Sequence, residues 1–158
     1  MTASSNDWLT GLLTCKEMGG NGLAKVESAE ENTVVQELLG EPRYCHVRGG
    51  YCHVSRVSVI TGGQVGWIGL QDFINEGNFA WPDGTSPTSY SNWVDSQPNN
   101  NGHGQVRCMS HFKCNVTCDV QHCVVMRDDG RWNDVICGGD KPAVCWMDLL
   151  NPNRHHWP

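Results

Sequence analysis

Nine cysteines in a chain of 158 residues constrain the fold more than any other feature. So many thiols in so short a chain favour an oxidising compartment, where disulfides staple loop-rich domains. The alternative is metal binding by thiolates. His111, Cys114, Cys118, His122 and Cys123 are the residue types zinc takes, but the short paired spacing of zinc ribbons is missing. Disulfides also account for the cysteines far from that cluster. Asn115-Val116-Thr117 is a glycosylation sequon, which agrees with a secreted, extracellular protein.

The length suits one domain with a real core, spanning residues 1–158. Charged residues make up only 18%, while 18 glycines and seven tryptophans suit loops anchored by large aromatics. A net charge of -6 and the lack of any basic run argue against a nucleic-acid partner. No apolar run approaches the roughly 18 residues of a membrane span. No secretory apolar segment follows Met1, so a leader is expected to be removed or absent. Enzyme activity finds no support: no nucleophile motif stands out, and no carboxylate pair is placed for acid–base work.

Two helices come first. Over residues 7–18, Trp8, Leu12 and Cys15 share one helical face, and Gly19-Gly20 ends the run. Ser28 with Glu31 three residues on makes a capping box for a second helix. Val34, Val35, Leu38 and Leu39 form its apolar face, closed by Gly40 and Pro42. Strand and turn signals follow. Cys45 to Cys52 reads as a hairpin around Arg48-Gly49-Gly50, and Val57–Ile60 and Val65–Leu70 are β-rich. The stretch from Asn75 to Asn101 is too long for an idle loop, and Phe79, Trp81, Tyr90 and Trp93 within it predict order. Cys123–Met126 and Arg131–Val135 form a hairpin across Asp129-Gly130, and Ala143–Trp146 is a closing strand. The tail from 149 to 158 is expected to be peripheral.

The order of these signals resembles the C-type lectin domain. Trp8, Cys15, Gly19-Gly20, Leu23-Ala24 and Val26 follow the family's first helix, and Ser28 with Glu30-Glu31-Asn32 its second. Trp67-Ile68-Gly69-Leu70 is similar to its core strand. Phe79-Ala80-Trp81-Pro82-Asp83-Gly84 and Tyr90-Ser91-Asn92-Trp93 resemble its long loop, and Cys123, Trp132-Asn133-Asp134, Cys137 and Cys145 complete it. The resemblance implies an α+β fold, with two helices flanking small antiparallel sheets and a long ordered loop region. It implies disulfides Cys15–Cys145 and Cys123–Cys137. The family's first strand is expected to be short or missing before Trp8, and an insertion at about 106–122 adds Cys108, Cys114 and Cys118. Those two bridges leave five cysteines; Cys45–Cys52 is the preferred local pair, and an odd thiol must be free or bond another subunit.

In calcium-dependent members one ion is held by a proline triplet, a later glutamate and an Asn-Asp pair. The matching residues here are Gln97, Pro98 and Asn99, then Gln121 (or Gln105), then Asn133 and Asp134. Only one of the side-chain ligands is a carboxylate. Calcium affinity follows the number of charged ligands, so no calcium cofactor is expected at this site. An auxiliary ion in the family matches Asp72 and Glu76, with Asn100 and His122 nearby, also an incomplete set.

Amides present both donors and acceptors, so the pocket can grip hydroxyls or an acetamido group directly. His103 and Trp132 are candidates to pack against the sugar ring. The expectation is therefore a soluble, invertebrate-type lectin for N-acetylhexosamines such as GlcNAc or GalNAc, with innate immune recognition as its role. The alternatives are a lectin-like domain that binds a protein, or a calcium-dependent galactose- or mannose-type lectin. Single lectin sites are weak, and the odd cysteine offers avidity through a disulfide-linked homo- or hetero-dimer. On a non-reducing gel the secreted protein should run at twice its monomer mass or above and collapse to monomer with reductant; monomer mass without reductant would remove the dimer.

Overall fold

A computed structural model describes residues 7–40, 51–54, 65–87, 89–100 and 121–146. Helix α1 spans Trp8–Glu17, capped by Asp7, whose carboxylate accepts from the Thr10 N–H at 2.8 Å. Its inner face buries Trp8 and Cys15 as the helical spacing predicts, together with Gly11, while Leu12 is partly buried beside them. Strand β1 is Gly22–Leu23, and α2 is Ala29–Gly40. Ser28 does cap α2: its hydroxyl accepts from the Glu31 N–H at 3.1 Å, while the Glu31 carboxylate reaches back to the Glu27 N–H at 2.6 Å.

Strands β2 (Tyr51–Val54), β3 (Gly66–Gln71), β4 (Cys123–Met126), β5 (Trp132–Val135) and β6 (Ala143–Trp146) follow. They join with β1 into one sheet in the order β1-β6-β3-β4-β5, with β2 also on β6. Within the α+β fold that the resemblance implies, the strands form one mixed sheet, in which β3 runs parallel to β6. The last strand returns to the first segment of the chain to pair with β1 and β2, which fixes its direction beside β3.

The middle strand β3 is buried along its whole length. Trp67 faces Trp8, Cys15, Leu23 and Cys145 on the α1 side. Ile68 and Leu70 face Val35, Leu38, Leu39 and Met126 on the α2 side. A strand covered on both faces reads as a continuous apolar run rather than an alternation. Gly69 is part of the same packing: a Cβ there would sit 2.8 Å from the Pro82 ring and 3.0 Å from the Leu23 carbonyl.

Two disulfides lock this frame, as the family resemblance implies. Cys15–Cys145 closes 130 residues and ties α1 to β6, and Cys123–Cys137 closes 14 beside the β4–β5 hairpin. Cys45, the expected partner of Cys52, the expected strand Val57–Ile60, the cysteines 108, 114 and 118, the sequon at Asn115 and the tail lie outside the described residues, as does all that precedes Asp7. Among the described residues no helix is long and apolar enough to cross a membrane.

The described parts of the segment between β3 and β4, residues 72–87 and 89–100, are held by aromatic packing. Trp81, Tyr90 and Trp93 each meet the ring of Trp132 edge-on at 5.7–6.0 Å between centroids. Trp132 is fully buried, and its indole N–H donates to the Asn32 side chain of α2 at 2.8 Å. The Asn32 amide in turn donates to the Gly130 carbonyl at the hairpin turn, at 3.0 Å. Removing the Asn32 side chain strands the buried Trp132 indole N–H, while the Gly130 carbonyl keeps the Asn92 amide at 2.9 Å; the loss costs about 1–3 kcal/mol. Asn32→Ala should therefore lower the unfolding free energy by that amount, read as a lower chemical-denaturation midpoint with no change in m-value.

Candidate functional site

The proline triplet reaches β5 through the backbone. Trp132 donates its N–H to the Asn92 carbonyl at 2.7 Å, and Val94 donates to the Trp132 carbonyl at 2.9 Å. Beyond that clasp the chain turns sharply, with a left-handed Ser96 (φ 67°), a cis Gln97–Pro98 peptide and a left-handed Asn100 (φ 45°). Asparagine tolerates this region better than other residues with a side chain.

Asp134 holds the turn. Strand alternation buries Trp132 and Asp134 and leaves Asn133 and Val135 half-buried. The Asp134 carboxylate accepts the Asn99 N–H at 3.1 and 3.2 Å to its two oxygens, and the Asn100 N–H at 2.7 Å. Asn99 and Pro98 are left exposed, and Gln97 is half-buried. The Gln97 side-chain carbonyl is buried and has no hydrogen-bond partner in the described structure.

Asn100 emerges as the hub, a role that the sequence alone does not assign. Its backbone donates to Asp134, its amide donates to Glu76 at 2.7 Å, and its carbonyl accepts from the Gln121 N–H at 3.0 Å. The signal available in the sequence was the run Asn99-Asn100-Asn101, suited to a left-handed turn. Gln121 thus lies beside Asn100, the residue that follows the triplet. His103 and Gln105 lie outside the described residues.

One expectation is overturned. Trp132 cannot pack against a saccharide, since its ring is the centre of the aromatic cluster and its N–H is occupied by Asn32. It positions the site from below.

The auxiliary group also converges. His122 Nδ1 lies 2.9 Å from Asp72 and 3.5 Å from Glu76. Asp72 is almost fully buried, and its second oxygen accepts from the Gly77 N–H at 2.8 Å. Burial and then the nearby Asp72 carboxylate push the Glu76 carboxyl above its usual range.

Calcium at the sugar site would draw on Gln97, Asn99, Gln121, Asn133 and Asp134. Four of these are neutral amides, and the one carboxylate already faces two backbone N–H groups. Such a set compensates poorly for the ion's lost hydration.

The family model for the lectin C-type domain matches residues 4–147. The chain belongs to the C-type lectin domain family. It is 32% identical to the low affinity immunoglobulin epsilon Fc receptor of Mus musculus over 133 residues, which is 84% of this chain and 28% of the receptor. It is 31% identical over 135 residues to the alpha-N-acetylgalactosamine-specific lectin of Patiria pectinifera, covering 85% of this chain and 62% of that lectin. Less than two thirds of either relative's length is spanned. Among solved structures, the cow CD23 carbohydrate-recognition domain, determined in the presence of GlcNAc2Man3 oligosaccharide, superposes with a TM-score of 0.59. The identity is 25%, over 89% of this chain and 79% of that one. Relatives of this kind are lectins and receptors rather than enzymes.

Asp134 should be a structural ligand of the turn before it is anything else. Asp134→Ala leaves two backbone N–H groups without their acceptor, and charge-assisted bonds of this kind contribute about 1.5–3 kcal/mol each. The variant should lose stability of that order in denaturant melts and gain fast hydrogen exchange at Asn99 and Asn100.

Proposed function

We propose that this chain is a secreted lectin that binds N-acetylhexosamine-bearing glycans through Gln97, Asn99, Gln121, Asn133 and the edge of the Pro98 turn, without needing calcium there. The observation that carries this is the state of Asp134. Its carboxylate is engaged by the backbone of Asn99 and Asn100, and the other candidate side chains at the rim are neutral amides. An amide offers a donor and an acceptor, which matches both the hydroxyls and the acetamido group of such a sugar. The named specificity of the Patiria pectinifera relative, at 31% identity, supports the same sugar class. Extracellular recognition of microbial surfaces, with avidity supplied by a disulfide-linked dimer, follows as the role.

A second function, capture of a protein partner by the same loops, is favoured by the kinship with an immunoglobulin receptor. A glycan array read with and without EDTA separates the two: silence on glycans together with pull-down of a defined protein would favour the receptor-like role.

Affinity for a single sugar should be weak. Four hydrogen bonds at a net of about 1 kcal/mol each correspond to a Kd of about 1 mM. Calorimetric titration with GalNAc, GlcNAc, mannose and galactose should show the N-acetyl sugars binding alike in EDTA and in calcium. Binding seen only with calcium would overturn the proposal.

A further inference from the structure

A cavity of about 280 Å³ lies between Asn21, Leu23, Lys25, Pro82, Asp83 and Trp146. Leu23 and Trp146 belong to β1 and β6, whereas Asp134 belongs to β5, at the other end of the order β1-β6-β3-β4-β5. From β6 to β5 is three strand spacings, about 14 Å. One monosaccharide cannot touch both places.

The walls of the cavity are fixed by contacts of their own. The Asn21 N–H donates to the Trp146 carbonyl at 2.8 Å, which sets these two residues side by side. Leu23 is buried behind them, and Pro82 packs over Gly69, where a Cβ would sit 2.8 Å from its ring. The Lys25 ammonium donates to Asp83 at 2.9 Å and to the Thr85 hydroxyl at 2.8 Å, so the carboxylate is held at the cavity edge. Two polar groups are uncommitted: neither the Asn21 amide nor the Trp146 indole N–H finds a hydrogen-bond partner within the described structure. Trp146 itself is only half-buried.

We propose that this cavity is a second saccharide subsite, which takes one neutral hexopyranose residue of a glycan. Pockets for drug-sized ligands start at about 300 Å³, so the space suits a single ring rather than a chain. A pyranose has an apolar C–H face and a rim of hydroxyls. Leu23, Pro82 and Trp146 offer apolar surface to the first. The Asn21 amide offers a donor and an acceptor to the second, and the Asp83 carboxylate a further acceptor. Charge narrows the class. Lys25 stands 2.9 Å from Asp83 and 3.3 Å from Glu27, so two carboxylates flank its one ammonium. Sialylated or sulfated residues would meet like charge there. The subsite goes beyond the rim reading and needs neither its amides nor calcium. A chain that holds saccharide at two places gains avidity on a branched glycan even as a monomer.

The test is a titration of the full ¹⁵N-labelled chain with the methyl glycosides of glucose, galactose and mannose, and separately with N-acetylneuraminic acid and choline chloride. At least one neutral glycoside should move the Trp146 indole and Asn21 amide signals to saturation, with N-acetylneuraminic acid without effect. Asn21→Ala should weaken this binding about fivefold, the worth of one hydrogen bond. Asn21 is exposed and its backbone N–H survives the change, so the variant keeps the contact to Trp146. Trp146→Leu should weaken it about tenfold through lost apolar contact, with circular dichroism checking the fold. No saturable movement with any glycoside, an equal response to N-acetylneuraminic acid, saturation by choline alone, or unchanged affinity in Asn21→Ala would each overturn the proposal. Asn133→Ala separates the two sites. It should leave the Trp146 response intact, and shifts confined to Asn99, Gln121 and Asn133 would keep the rim reading while removing this one.

Discussion

The buried ring of Trp132 is the point on which the rest of the molecule depends. It receives Trp81, Tyr90 and Trp93 from the long loop and hands its N–H to Asn32 on α2. A loop of nearly thirty residues without regular structure has a large ordering entropy to overcome. Four large aromatics burying their faces together supply what helix or sheet ladders would otherwise provide. The same residue's backbone N–H and C=O clasp Asn92 and Val94, so core and rim are built by one side chain and its own peptide groups.

That arrangement also sets the electrostatics of the rim. Because Asp134 follows Trp132 by two positions on β5, it points to the same side and meets the turn that the aromatics deliver. Its charge is compensated by backbone dipoles rather than by an ion. Neutral amides replace acids around it, and the remaining acidic pair, Asp72 and Glu76, gathers at a separate place with His122. Charge has been moved from the sugar rim to the base of the loop. Asn100 connects the two places through hydrogen bonds on both sides.

At the opposite end of the loop, Asp83 plays a comparable anchoring part on the surface. Hydrogen bonds from the Thr85 hydroxyl and then from Lys25 hold its carboxyl at about 2. Lys25 reaches both side chains at 2.8–2.9 Å and pins the Trp81–Thr85 turn to the segment after β1. The exposed position of this cluster keeps its contribution small.

Much was legible in the amino acids alone. Periodicity and capping residues placed both helices, because those signals are local: Ser28, Glu31 and Gly19 act within one turn of themselves. Strands β3 to β6 were legible for the same reason, whereas β1 was not read as a strand, and the order of cysteines and tryptophans carried the family. What could not be read was whatever depends on groups far apart in sequence. Sheet direction at β3–β6, and the partners that Trp132 and Asp134 find, join residues up to 100 positions apart. Residue types stated which chemistry was available, namely amides at the rim and few acids. Only tertiary packing decided which of those groups are already engaged by the backbone and which still face a ligand, since hydrogen-bond partners are chosen by proximity in space.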